Sequence, residues 1–204
     1  LQQVDPDGKN WYEKQLENIP SEELKKDLKN KFENGNYDYI RKLGVIRQSI
    51  FGVDIQTIAT EIAKLRCFLT LIIEEQVDDE RENRGIHPLP NLDFKFVAAN
   101  SLVGLPGNNI KAINLFDNNE HIDTLKKIRN EYFTADENER MLIRARFAEL
   151  QNDMFRTRIS TNNATSYKYN ALAEWKPFDN NSVSWFDSEW IFGVNNFDIV
   201  IANP

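Results

Sequence analysis

The chain is short of the residues that staple a fold or ligate a metal. It has one cysteine, Cys67, among 204 residues, so it can form no internal disulfide, and a reducing compartment is expected. Two histidines and that single thiol are too few donors to suggest a zinc site, and no metal is expected. No apolar run approaches the ~20 residues of a membrane-spanning helix, and the first residues carry no signal-peptide pattern. A cytoplasmic chain that uses no membrane is therefore expected. Basic charge is also in deficit, with 25 Lys and Arg against 32 Asp and Glu and a net charge of −7. Phosphate binding is mostly electrostatic, so this segment is not a self-sufficient grip on nucleic acid, although a catalytic module clamped from elsewhere fits. No internal repeat or low-complexity tract appears. What is present in ordinary amount is apolar material, 41% of residues, enough for a buried core.

Residues 1–48 read as a charged helical segment without a strand. In "SEELKKDLKNKFENG", Ser21 suits an N-cap and Glu22 and Glu23 suit the first turn, where the helix dipole favours negative charge. Gly35 is a stop signal. "YDYIRKLGVIRQ" reads as a second short helix interrupted at Gly44. "SIFGVDI" is different: short, apolar, β-prone and tipped by Asp54. The following "QTIATEIAKLRCFLTLIIEEQ" spaces Ile58, Ile62, Leu65, Leu69 and Ile72 as one apolar face of an amphipathic helix. Strand, acidic tip and helix together read as the start of a βαβ unit. After the loop "VDDERENRGIHPLPN", "DFKFVAANSLVG" reads as a second strand ending near Asn100 and Ser101. A charged helical hairpin spans about 118–157, with Asp136 and Glu139 at capping-box spacing. Residues 160–190 are loop-rich and aromatic, and "NFDIVIANP" reads as a third strand. The fold class expected is α/β, with parallel strands and a helical insertion.

Three strands would thus end in Asp54, Asn100 and Asn203. In open parallel sheets, ligands bind outside the carboxyl ends of the strands. A carboxylate at such a tip can accept hydrogen bonds from ribose hydroxyls, although Asp54 could equally cap the helix behind it. Asn100 can both donate and accept, which suits a purine edge, but also an ordinary turn. Asn203-Pro204 is the sharper signal. A side-chain amide and the next carbonyl can each accept from an exocyclic amine and aim its lone pair at an electrophilic methyl group. Proline suits that place because its φ is fixed and it has no competing N–H.

"FDIVIANP" resembles the strand that enters the Asn-Pro-Pro-Tyr motif of DNA adenine-N6 methyltransferases. "SIFGVDIQTIATEIAKLRCFL" resembles the acidic-tip strand and helix of those enzymes. "PLPNLDFKFVAANSLVG" resembles their next motif, and "FDSEWIFGVNNFDIVIANP" their lead into the catalytic one. The order and linkage are most similar to the type IIG restriction–modification enzymes and relatives in phage-defence loci, over roughly residues 49–105 and 186–204. The resemblance implies a partial Rossmann-like fold at 49–204, S-adenosylmethionine as cofactor, and a flipped adenine of double-stranded DNA as substrate of the intact parent. It implies that Asp54, with Ile55 beside it, holds the cofactor ribose, that Asn100 and Ser101 meet its adenine, and that Asn203 and Pro204 are catalytic. It also implies a bacterial or archaeal cytoplasm.

The departures are specific. Ala99 stands where the group has glycine, and no Gly-rich turn follows a strand in residues 1–48. The chain stops before the second proline and the aromatic residue of the motif, so an internal fragment, itself inactive, is expected. In that family's sheet a further strand lies between those at 49–54 and 197–202. A fragment without it should fill the gap with another segment, self-associate through the open edges, or leave the last strand displaced. Cys67 reads as a small core residue, His87 and His121 as surface residues, and the Lys and Arg of 126–146 as a solvated helical face. Trp175, Trp185, Phe186 and Trp190 read as core or interface packing rather than base stacking. Two other readings explain part of the pattern: a nonenzymatic helical interaction module, and an NAD-dependent Rossmann enzyme for which Asp54 would serve equally.

Overall fold

The computed structural model describes residues 12–14, 22–33, 35–75, 77–80, 82–86, 90–105, 117–159 and 163–202. Two helices come first, α1 (Glu22–Glu33) and α2 (Tyr37–Gln48). Gly35 ends α1 as expected, at φ 76°, with its N–H on the Phe32 carbonyl at 3.0 Å. Ser21 lies outside the described residues. Gly44 does not interrupt α2. It is buried among Ile40, Leu43 and Ile46, and that packing offsets the cost of about 1 kcal/mol of a mid-helix glycine.

Strand β1 (Gly52–Asp54) follows, then helix α3 (Thr57–Ile72) and strand β2 (Phe96–Ala98). This is a βαβ unit: the strands pair in parallel, with Gly52 opposite Phe96, Val53 opposite Val97 and Asp54 opposite Ala98. Gly52 is needed for that register, because a Cβ there would lie 2.5 Å from the Phe96 ring. β2 is buried along its whole length, and its alternation feeds two cores. Phe96 packs with Leu28, Leu43 and Ile46 under α1 and α2, whereas Val97 packs with the helices that come later in the chain.

Those later helices are α4 (Asp117–Thr134), α5 (Glu137–Ile159), α6 (Asn163–Glu174) and α7 (Ser188–Phe192). The α4–α5 hairpin is as expected, and its capping box is complete. The Asp136 N–H donates to Glu139 Oε2 at 3.0 Å, and the Glu139 N–H to Asp136 Oδ1 at 2.8 Å. Helix α6 corrects the loop reading of residues 160–190: it packs on α5 and contributes Tyr169, Leu172 and the adjoining Trp175 to the core. Trp185 and Trp190 are buried there too, so the aromatic stretch is core. A polar network ties the entry of β2 to its neighbours. Asp93 accepts from Lys64 Nζ on α3 and from the Tyr132 hydroxyl on α4, each at 2.8 Å. Burial opposes the charge of Lys64, but its hydrogen bonds to Asp93 and Glu61 hold its pKa above the ordinary value.

Two expectations fare differently at the surface. Helix α3 forms, but its apolar face is turned outward: Ile58, Ile62, Leu65 and Leu69 are exposed, while Thr60, Lys64 and Leu71 are buried. Residues 197–202 do not form the third strand. They carry no ladder, and Ile199, Val200 and Ile201 stand exposed. A strand needs partners for its backbone groups, and this segment has no ladder partner among the described residues. Of the expected third strand, then, the structure shows a segment that carries no ladder to a described strand.

Candidate functional site

The βαβ unit delivers Asp54 and Asn100 to one edge. Asp54 ends β1, and its carbonyl accepts from the Ala99 N–H at 2.8 Å, so Asn100 lies one residue beyond that contact. Asn100 is anchored in turn: its N–H donates to the Val183 carbonyl at 3.0 Å, which extends the parallel arrangement through the bridge between Ala99 and Val183. Both side chains make short local turns. Asp54 Oδ1 accepts from the Gln56 N–H at 2.8 Å, just ahead of α3, and Asn100 Oδ1 accepts from the Leu102 N–H at 3.1 Å. The capping alternative for Asp54 is thus partly real, since one oxygen serves the entry to α3. The second oxygen of Asp54 and the Nδ2 group of Asn100 have no protein partner among the described residues.

Ile55 and Ser101, the other two residues of the expected cofactor set, flank these tips and are exposed, as is Leu102. The rim is therefore open, with an acidic acceptor, an amide and apolar neighbours side by side. Asn203 and Pro204, the expected catalytic pair, lie outside the described residues. The segment leading to them begins at Phe197, whose ring packs 5.7 Å from Phe51, the residue just before β1.

One basic residue departs from the solvated-face reading of 126–146. Arg129 is buried, and its Nη1 donates to the Trp190 carbonyl at 2.8 Å. Burial draws its pKa down to about 10, against the opposing pull of Glu189. The signal was available in the spacing: Leu125, Ile128 and Tyr132 place Arg129 on the apolar side of α4. Among the described residues no His, Cys, Asp and Glu cluster could hold a metal ion, and no helix is long and apolar enough to cross a membrane.

These features define a mixed α/β chain whose parallel strands present polar tips at a shared carboxyl edge. Residues 48–204 match the family model of the Eco57I restriction-modification methylase, and the chain belongs to that family. Over 77 residues it is 46% identical to a protein of Methanocaldococcus jannaschii named "Putative type II restriction enzyme and methyltransferase". The alignment spans 38% of this chain and 6% of that relative, so the chain is much shorter than the protein it resembles. No solved structure matches it.

Proposed function

We propose that the chain is part of a site-specific DNA adenine methyltransferase of a restriction–modification system, with a Rossmann-like sheet. Residues 1–48 form the preceding helical segment, and 49–204 the methyltransferase part with its helical insertion. The observation that carries this reading is the side-by-side placement of Asp54 and Asn100 at the carboxyl edge of β1 and β2, within the stretch that matches the methylase family.

The rim suits S-adenosylmethionine. The second Asp54 oxygen can accept from ribose hydroxyls, and the Asn100 amide can donate to an acceptor on the adenine edge. Exposed Ile55 offers an apolar contact beside them, and Ser101 a hydroxyl. When bound, the cofactor would supply an electrophilic methyl group. The chain's own contribution is positional. Asn203 Oδ1 and the Pro204 carbonyl would each accept a hydrogen bond from the target amine and so orient its lone pair. Double-stranded DNA is the partner of the longer protein, which would act in a bacterial or archaeal cytoplasm. The open rim, where β1 is paired on one side only among the described strands, makes cofactor binding by this chain weak and the chain itself inactive.

The test uses the longer parent protein with tritiated cofactor and duplex DNA. Asn203→Ala should abolish methyl transfer and leave the melting temperature unchanged, and Asp54→Ala should raise the Kd for S-adenosylmethionine at least tenfold. Full methylation by Asn203→Ala would defeat the assignment. Saturable binding of a nicotinamide cofactor in place of S-adenosylmethionine would transfer Asp54 to the oxidoreductase reading.

A further inference from the structure

The opposite, amino-terminal edge of the two strands carries a cavity of about 460 Å³. Phe51 immediately precedes β1 and Lys95 immediately precedes β2, and the Gly52 N–H donates to the Lys95 carbonyl at 2.8 Å, so both residues sit at that edge. The walls bring together four basic residues, Arg47 from α2, Lys95, and Lys126 and Arg129 from α4, and among the described residues that line the cavity there is no carboxylate. In a chain of net charge −7 this is a local inversion of sign.

Three of these residues are fixed in place. Lys95 Nζ lies 3.7 Å above the Phe51 ring and Arg47 stacks over Phe133 at 5.8 Å. Arg129 spends one nitrogen on the Trp190 carbonyl; its buried Nη2 has no partner among the described residues. That nitrogen lies against Gly193, which also lines the cavity, and a Cβ on Gly193 would stand 2.5 Å from it. The acid nearest in effect, Glu189, acts on Arg129 from outside the lining, and Lys126 meets Asp123 at 3.6 Å on the exposed side. Like charges gathered in a partly buried site repel, and an unsatisfied buried guanidinium nitrogen costs free energy. A multiply charged anion relieves the repulsion among the cations that line the cavity.

We propose that this cavity binds a phosphate-bearing ligand of nucleotide size. Guanidinium forks match the tetrahedral oxygens of phosphate, and lysines add point charge. The volume exceeds that of a lone phosphate and falls in the range of small-molecule sites. The Phe51 and Phe133 rings supply an apolar wall for the organic part. Burial, and after it crowding by Arg47 and Arg129, lowers the Lys95 pKa to about 7, and the crowding is the strain such a ligand would relieve. This site is independent of the methyl-transfer rim, which uses the other ends of the strands.

Isothermal titration of the whole chain with pyrophosphate and with ATP tests the proposal. Saturable binding of both is expected, with sulfate competing. Lys95→Met, which keeps the stem over Phe51, should weaken pyrophosphate binding about tenfold, and Lys126→Gln should weaken it severalfold. Arg66→Gln removes an exposed charge from α3, outside the cavity, and should leave the affinity unchanged. Arg129→Gln is the most direct variant but removes a buried support, so the two lysine variants carry the test. The proposal falls if pyrophosphate shows no saturable binding, if Arg66→Gln weakens it as much as Lys95→Met, or if duplex DNA binds while pyrophosphate and ATP do not.

Discussion

Lys95 shows how one residue can report on the whole amino-terminal edge. Its pKa, lowered to about 7 first by burial and then by Arg47 and Arg129, lies below the ordinary 10.5 that it regains on unfolding. The unfolded chain therefore binds more protons between about pH 7 and 10.5, and stability rises with pH across that window. Lys168 is lowered by burial in the same sense. The groups that work against it act later: the Cys67 thiol is raised by burial from 9.0, and Tyr132 is raised to about 12 by burial and Asp93. The urea midpoint should accordingly increase from pH 7 to pH 9, and Lys95→Met should flatten the rise. A midpoint that falls over this interval would show that Lys95 stays charged in the folded chain. Residue-level reading of the sequence was most reliable where the chemistry is local. Asp136 and Glu139 form the capping box that their spacing predicts, and Gly35 ends its helix. It was least reliable for Lys95 and Arg129, whose environment is made by residues distant in the chain, such as Arg47 and Phe51 for Lys95 and Trp190 for Arg129.

At the scale of elements, α3 separates periodicity from burial. The spacing of Ile58, Ile62, Leu65 and Leu69 correctly gives a helix and one apolar face, but periodicity cannot say what covers that face. Here β1 and β2 take the side bearing Thr60, Lys64 and Leu71, because Lys64 reaches Asp93 at the mouth of β2. The apolar face is left outside, together with Ile55 and Ile73. A contiguous exposed apolar surface of this kind usually marks an interface. The consequence for this chain is measurable. Ile62→Gln and Leu65→Gln should each change the unfolding free energy by no more than about 0.5 kcal/mol, as surface substitutions do. Ile128→Ala, at a fully buried position of α4, should cost about 2–5 kcal/mol. A loss above about 2 kcal/mol in either α3 variant would mean that the face is covered in solution. Helix α6 was illegible for the complementary reason. Its sequence, "NATSYKYNALAE", has weak periodicity, and it is helical because Tyr169 and Leu172 pack into the α5 groove.

For the molecule as a whole, the order of burial follows from β2 lying between two cores while β1 has one described neighbour. Strand β2 is closed off by the α1–α2 layer through Phe96 and by the α4–α7 layer through Val97, and its ladder continues into Val183. The parallel βαβ core and the carboxyl-edge position of Asp54 and Asn100 were readable, because strand patterning and polar tips are short-range signals. The fate of residues 197–202 was not, because a strand is a relation between segments, and this one has no ladder partner among the described residues. Amide hydrogen exchange resolves that relation directly. The Ala99 N–H on the Asp54 carbonyl and the Val183 N–H on the Ala98 carbonyl should be among the slowest, opening only with global unfolding. The amides of Ile199, Val200 and Ile201 should exchange at nearly unprotected rates in this chain. In the longer parent, where the methyl-transfer reading requires a strand leading into Asn203-Pro204, the same three amides should become protected. Strong protection of them in this chain alone would show that the terminal segment already pairs here. Equal lack of protection in the parent would leave the catalytic pair without the rigid strand its chemistry needs.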